Sequence, residues 1–182
     1  LNKRYTDLSN PEGEPIMRLG YAEQCFNIAE GIIRGWASGD AKQYYEEGIR
    51  AAMQFVKNHT PERFVEGRPM ITDEYISTYL KGEKVGFTAD KETQLKQIFQ
   101  QKYFIYFLQN PWDGYYENRR TGYPVLPINP NTNKNEVVTQ LPKRWTYPVK
   151  EYNNNGENLQ VALDRQFGGK DTHNDLMWIL KK

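Results

Sequence analysis

Apolar residues recur at the spacing of an α-helix between residues 18 and 37. Alternating steps of three and four place one set on a single face, formed by Leu19, Ala22, Phe26, Ala29, Ile33 and Trp36. A second apolar stripe runs beside it and consists of Tyr21, Cys25, Ile28 and Ile32. Because a helix that is apolar on two faces is covered from two sides, the pattern predicts a helix with neighbours on both of them.

A second helix is predicted after a short polar break at residues 38–40. Asp40 can cap its first turn, and Gln43 three residues later completes a capping-box pattern. Apolar residues again recur at helical spacing, up to about Asn58. Since so short a break forces the two helices into an antiparallel hairpin, residues 18–57 predict a tetratricopeptide-like helix pair.

Two expectations concern what packs against this pair. Gly31 and Gly35 lie one turn apart in the first predicted helix, and we expect them to let a neighbouring backbone approach closely. A single helix pair cannot bury both apolar stripes, because helical-repeat units need neighbours to form a continuous core. Tyr21, Ile28 and Ile32 are therefore expected to be partly exposed, or buried by another copy of the chain.

Further helices are predicted at residues 72–80 and 90–121, and the second range comprises two helices that meet near Asn110. Asn110 suits an N-cap, and the proline that follows it suits the first helical position. Gly122 is a natural breaker at the end of this range.

The character of the chain changes after this glycine. Residues 122–182 are rich in Pro and Asn, and the repeated prolines forbid a long helix. A short helix is predicted at 157–167, and the apolar tail at 177–180 is expected to dock. The predicted fold class is all-α, with tetratricopeptide-like helical hairpins of the α-α superhelix type and a Pro/Asn-rich irregular C-terminal region.

Composition and charge exclude several classes of protein. The 182 residues contain 24 Lys and Arg against 23 Asp and Glu, which indicates no basic surface for nucleic acid or an anionic membrane. No apolar run approaches the roughly 18 residues that span a bilayer. The chain starts at Leu1 without the basic and apolar regions of a signal peptide, and because this residue is not Met we expect an excised fragment. Cys25, the single cysteine, is expected to be a small buried apolar residue.

Four segments, in this order, carry a family resemblance. They are 18–34, QIFQQKY at 97–103, WDGYYENRRTGYPVL at 112–126, and LPKRWTYP at 141–148 followed by EYN at 151–153. The third segment is an aromatic-rich helix that closes with Arg-Arg-Thr-Gly-aromatic-Pro. Together the segments resemble the corresponding stretches of SusD/RagB-like proteins.

This resemblance implies a location and a role. SusD/RagB-like proteins are surface lipoproteins of the outer membrane, where each covers a SusC-like TonB-dependent transporter and presents a captured oligosaccharide or peptide to it. The resemblance further implies that residues 1–182 form a single C-terminal portion of a larger SusD-like domain. The N-terminal lipid anchor and most of the ligand-contacting surface are then expected before Leu1, so that this chain leaves ligand identity open.

Aromatic side chains are the candidates for contact with a sugar, because a flat ring covers the apolar C–H side of a sugar. Trp112, Tyr115 and Tyr116 span just over one helical turn and are expected to pack in the core. Trp145 and Tyr147, in the Pro-rich region, are the better stacking candidates.

Arg119 and Arg120 close the predicted helix before Gly122. Such a pair could clamp a carboxylate or a phosphate. Cations are also favoured at a helix C-terminus, where they pair with acidic groups. We therefore expect both arginines to act through stability rather than through ligand contact.

No catalytic residue, metal site or cofactor is predicted. Asparagines alternate over residues 129–135, faintly like a calcium loop, but no Asp or closing Glu accompanies them. His59 and His173 lack the partners of a metal site or a triad. Asp113 and Glu117 could supply the two carboxylates of a glycoside hydrolase, although any chain with 23 acidic residues contains such pairs. The predicted function is non-enzymatic nutrient binding; the alternatives are a helical-repeat scaffold for protein interaction and, third, a glycoside hydrolase.

Overall fold

The computed structural model describes residues 3–6, 13–68 and 70–181. Within these ranges the chain forms the α-helices α1 (Tyr21–Ile33), α2 (Ala41–Asn58), α3 (Asp73–Leu80), α4 (Lys91–Tyr106), α5 (Pro111–Thr121) and α6 (Val149–Phe167). Short 3₁₀ helices occur at Lys3–Tyr5, Glu62–Phe64 and Trp178–Leu180. The described residues include no β-strand, which confirms the all-α prediction.

The chain divides into two compact units, Leu1–Val125 and Leu126–Lys182. The division falls close to the change in composition after Gly122. The first unit contains α1 to α5, and the second contains the irregular region and α6.

The first unit is built on the α1–α2 hairpin, against which α4 also packs. Phe26 and Ala29 of α1 meet Tyr45 and Ile49 of α2, and all four side chains are buried. The close approach is made at Gly48 of α2, where an added Cβ would lie 2.6 Å from the Phe26 ring.

The predicted glycine seam on the first helix is therefore wrong. Gly31 has a single neighbour at 3.9 Å, and Gly35 lies beyond α1 with a φ of +78° and an open surrounding. A left-handed glycine at this position is a C-terminal stop signal rather than a packing contact.

The first helix is shorter than predicted, and its buried stripe is shorter too. Leu19 and Trp36 lie outside α1 and are 73% and 74% exposed, so their predicted burial with the stripe is wrong. The second stripe is exposed at Tyr21 and half-buried at Ile28 and Ile32, which confirms the predicted partial exposure.

Helices α2, α3 and α4 each begin at a side-chain cap. Asp40 accepts hydrogen bonds from the backbone N–H groups of residues 42 and 43, and Thr72 and Asp90 accept from those of residues 75 and 93. Asn110 stands at the N-cap of α5, but its side chain donates to the Asp113 carboxylate instead of capping. The helices that follow α2 contribute Ile76, Leu80, Ile98 and Phe99 to the core.

In the second unit, α6 begins eight residues earlier than the predicted helix at 157–167, directly after Pro148. The helix is kinked at Asn155, whose φ of −145° is not helical. Leu159 and Leu163 are buried. The tail forms the 3₁₀ helix Trp178–Leu180, and its Trp178 is 78% exposed, so the expected docking of this tail is wrong for that side chain.

Candidate functional site

A charge network with a buried carboxylate at its centre joins α1, α4 and α5 in the first unit. Glu30 of α1 is almost completely buried and accepts hydrogen bonds from both terminal nitrogens of Arg120, at 2.7 and 2.8 Å. Arg34 donates to the same carboxylate at 2.8 Å. The Glu117 carboxylate accepts hydrogen bonds from the Lys102 amine at 2.9 Å and from the Arg120 guanidinium at 2.7 Å.

The network keeps Glu30 ionised. Burial alone would raise the pKa of Glu30, but hydrogen bonds from Arg120 and Arg34 and the charge of Lys102 outweigh it and lower the pKa below its ordinary value. The hydrogen bond to Glu30 contributes most to raising the pKa of Arg120. Because Arg120 gives its nitrogens to two carboxylates of its own chain, the geometry favours the structural role expected for it.

An open cavity of about 330 Å³ adjoins this network. Its lining consists of Asn27, Glu30, Trp36, Lys102, Glu117 and Arg120. The charged groups that line it are already bonded to one another. The cavity is therefore bounded by a saturated set of ion pairs.

The aromatic residues of α5 do not form a core. Trp112 is 52% exposed and Tyr116 is 44% exposed, so the predicted core packing is wrong for these two side chains. Tyr115 is half-buried. The guanidinium of Arg119 lies 5.6 and 5.3 Å from the ring centres of Tyr115 and Tyr116, within cation–π range.

The irregular region of the second unit is organised around Arg144 and Asp171. Both side chains are buried, and the Arg144 guanidinium forms an ion pair with the Asp171 carboxylate. Arg144 also donates to the carbonyl of Thr172 and lies 4.2 Å from the ring centre of Phe167. These contacts hold the loop before α6 against the loop after it.

The two predicted stacking residues flank this ion pair. Trp145 is 53% exposed. Tyr147 is half-buried; its backbone N–H donates to Asp171 at 2.9 Å, and its ring lies 5.5 Å from the Arg144 guanidinium. Trp145 and Tyr147 thus lie on a loop whose backbone is fixed by contacts with Asp171.

The alternating asparagines use their side chains on their own loop. Asn129 accepts from the N–H of residue 131, and Asn133 donates to the carbonyls of Val138 and Gln140. Asn135 donates to the same Gln140 carbonyl. These bonds explain the asparagines as loop-forming residues. The described ranges contain no group of three or more His, Cys, Asp or Glu residues that could hold a metal ion.

The residues weighed for catalysis are engaged with neighbours. The Asp113 carboxylate accepts a hydrogen bond from the Asn110 side-chain amide, and Glu117 belongs to the charge network. His59 contacts the carbonyl of Phe55, whereas His173 contacts Glu136 in the other unit.

The acidic partners of Arg120 and Arg144 were not predicted from the sequence. A signal existed for Glu30, which follows Ala29 on the buried face of α1, because an acid in an apolar stripe requires a partner when buried. No comparable pattern marks Asp171, which lies in an irregular segment 27 residues from Arg144.

Comparisons with a family model and with solved structures indicate the same family for this chain. The family model described as SusD-like (Susd and RagB outer membrane lipoprotein) matches residues 2–180. No curated protein matches the chain.

None of the helices in the described part of the chain has the length and apolar character needed to cross a membrane.

Solved structures resemble the chain over most of its length. A SusD homologue from Bacteroides fragilis NCTC 9343 is 50% identical with a TM-score of 0.87, over 100% of this chain and 38% of that one. A second B. fragilis homologue is 41% identical with a TM-score of 0.81, over 95% of this chain and 37% of that one. A chitin-binding protein is 28% identical with a TM-score of 0.69, over 87% of this chain and 32% of that one. The chain therefore spans about a third of the length of these relatives.

Proposed function

The chain belongs to the SusD-like family of outer membrane lipoproteins, and we propose that the protein carrying it binds a glycan or peptide nutrient without catalysis and delivers it to a SusC-like TonB-dependent transporter. In this proposal residues 1–182 form the C-terminal portion of a larger SusD-like domain at the cell outer membrane.

The observation that carries the proposal is the match of almost the whole chain to this family and to a SusD homologue of 50% identity. The similarity to a chitin-binding protein supports a polysaccharide fragment as the nutrient. The proposal requires no cofactor.

Trp145 and Tyr147 are the residues of this chain that we propose for stacking against a sugar. The indole of Trp145 is half exposed, and its loop is fixed by the Arg144–Asp171 ion pair. A preorganised aromatic surface loses little conformational freedom on binding, which favours affinity. Asp171 also accepts the N–H of Tyr147 and so fixes the second aromatic residue on the same segment.

Absence of catalysis is part of the proposal. A glycoside hydrolase needs a carboxylic acid that protonates the leaving group and a second carboxylate that acts as base or nucleophile. The Asp113 carboxylate accepts a hydrogen bond from the Asn110 amide, and the Glu117 carboxylate accepts from Lys102 and Arg120, so neither is directed at a ligand. We expect no release of product from a labelled oligosaccharide; turnover that disappears in Asp113→Asn or Glu117→Gln would contradict the proposal.

The binding experiment uses the full-length protein. Calorimetric titration with chitin, starch and xylan oligosaccharides and with a peptide mixture should reveal binding of one ligand class. Trp145→Ala and Tyr147→Ala are each expected to weaken it by more than about 1 kcal/mol, the loss that marks an energetically important contact residue. Trp178→Ala is the matched control, because Trp178 is exposed in the same unit outside this loop.

Unchanged affinity in both loop variants would remove these two residues from the proposed site. The delivery step has its own measurement. A tagged form of the protein, purified from outer membranes in mild detergent, should bring a TonB-dependent transporter with it, and purification without any transporter would contradict the delivery part of the proposal.

A further inference from the structure

A second, larger cavity opens at one end of the α1–α2 hairpin in the first unit. Its volume is about 600 Å³. It lies between the turn at residues 32–42 and the segment 87–94 that leads into α4. This volume falls in the range of about 300–1,000 Å³ that small-molecule sites occupy in proteins.

The inner wall of this cavity is apolar and well supported. Ile32, Ile33 and Phe87 contribute to it. The Phe87 ring packs against buried Tyr45 with 4.7 Å between ring centres, and the Tyr45 hydroxyl donates to the Val85 carbonyl at 3.0 Å. The wall therefore has a fixed position before any ligand arrives.

The charged side chains around this wall are mostly cationic. Arg34, Lys42 and Lys91 line the cavity, and Asp40 is the single acidic residue in its lining. Asp40 directs one carboxylate oxygen to two backbone N–H groups of α2, at 2.9 and 3.2 Å. The lining thus carries two positive charges in excess.

The cations also keep hydrogen-bond donors for a ligand. Arg34 donates from its Nε to Glu30, and its guanidinium lies 5.3 Å from the Trp36 ring centre; its two terminal nitrogens have no acceptor among the described contacts. The Lys42 amine lies 3.7 Å from Glu46, which is a long ion pair, and the described residues give Lys91 no ion-pair partner. Three cations beside an apolar wall form a surface complementary to a carboxylate attached to a small apolar body.

We propose that this cavity binds a carboxylate ligand. Arg34, Lys42 and Lys91 would pair with the carboxylate, and Ile33 and Phe87 would contact its C–H surface. A hexuronate at the end of an acidic glycan and the C-terminus of a peptide share this chemistry. The choice of these two sources rests on the proposed nutrient-binding function, whereas the preference for a carboxylate follows from the cavity itself.

Calorimetric titration of the protein as its gene encodes it tests the inference. The ligands are digalacturonate, the neutral disaccharide lactose, the dipeptide Gly-Phe and its C-terminal amide. We expect digalacturonate or Gly-Phe to bind and lactose and the amide to bind at least about tenfold more weakly, because a cationic cleft concentrates anions by this factor or more. The ligand that binds identifies the source of the carboxylate.

Lys42→Glu combined with Lys91→Glu is the decisive variant. Both positions lie in the first turn of a helix, where an acidic side chain is favoured, so folding should be retained. Lys134→Glu combined with Lys150→Glu makes the same change in net charge on exposed residues of the other unit and is the matched control.

Loss of carboxylate binding in the first double variant, with unchanged binding in the control, would support the site. Binding should also weaken in about 1 M salt, where the screening length falls to about 3 Å. Equal affinity in both double variants, or no measurable binding of either carboxylate ligand, would overturn the inference. Neither result affects transporter co-purification or binding at Trp145, so the proposed function stands or falls separately.

Discussion

Arg120 of α5 donates two parallel hydrogen bonds to the carboxylate of Glu30 of α1, a residue 90 positions away in the sequence. A bidentate guanidinium–carboxylate pair of this kind fixes orientation as well as distance, because the planar fork matches the two carboxylate oxygens. It ties the first helix of the described fold to the aromatic-rich helix that carries the family motif. The pair therefore joins two segments that were recognised separately in the sequence.

Arg120→Ala should lower the melting temperature. Removing one member of a buried ion pair typically costs about 3–5 kcal/mol; we expect about 2 kcal/mol, because the Arg120 side chain is 44% exposed and because Arg34 and Lys102 still offset the charge of Glu30. Chemical denaturation measures the change. Arg165→Ala removes an exposed arginine from the last turn of α6 and should change stability by less than about 0.5 kcal/mol. Similar losses in the two variants would contradict a special role for the Glu30 pair.

Gly48→Ala should destabilise the hairpin although alanine is the better helix former. The new methyl group would lie 2.6 Å from the buried Phe26 ring, and overpacking of a core costs about 1–3 kcal/mol. Gly114→Ala is the matched control, since a Cβ there meets its nearest neighbour at an ordinary 3.6 Å and should bring a gain of up to about 1 kcal/mol. Thermal unfolding of both variants decides the point, and equal shifts would show that the Gly48 contact relaxes without cost.

Asp171 should make the second unit sensitive to acid. Burial opposes ionisation, but hydrogen bonds from the Tyr152 hydroxyl, the Tyr147 N–H and Arg144 together lower its pKa below the ordinary value. A carboxyl whose pKa is lowered in the folded state stabilises above its unfolded pKa of about 4, and this stabilisation is lost as pH falls through the folded pKa.

Hydrogen exchange of the loop at residues 136–147 measures this effect. Protection should fall below about pH 4 in the wild type, whereas Asp171→Asn should show reduced protection already at neutral pH. Asp175→Asn is a nearby control, because Asp175 has one backbone hydrogen bond and no ion pair among the described residues. A wild-type acid transition that persists unchanged in Asp171→Asn would assign it to another group.

The predicted caps should differ in strength. Asp40→Ala removes two hydrogen bonds to the first turn of α2 and should cost about 1 kcal/mol. Asn110→Ala should cost less through capping, because the Asn110 side chain bonds Asp113 rather than the backbone of α5. Urea denaturation of the two variants gives the comparison, and an equal or larger loss for Asn110→Ala would show that its contact to Asp113 matters as much as a cap.

Sequence determined the positions of most helices in this protein. Asp40, Thr72 and Asp90 stand where helices begin, and Gly122 stands where α5 ends. These signals work because the hydrogen bonds of a helix and its caps join residues no more than four positions apart. The family could likewise be identified from sequence, because its motifs are continuous segments.

Tertiary structure alone decided which side chains are covered and which charges meet. Trp112 and Trp36 occupy apolar positions in a helical pattern but are exposed, and Gly48 rather than Gly31 makes the close helix contact. Glu30 and Arg120, like Asp171 and Arg144, are distant in sequence and adjacent in space. The periodicity of a sequence shows which face of a helix is apolar. Burial and ion pairing, in contrast, are decided by the residues that the rest of the chain places against that face, and a local pattern contains no information about such distant residues.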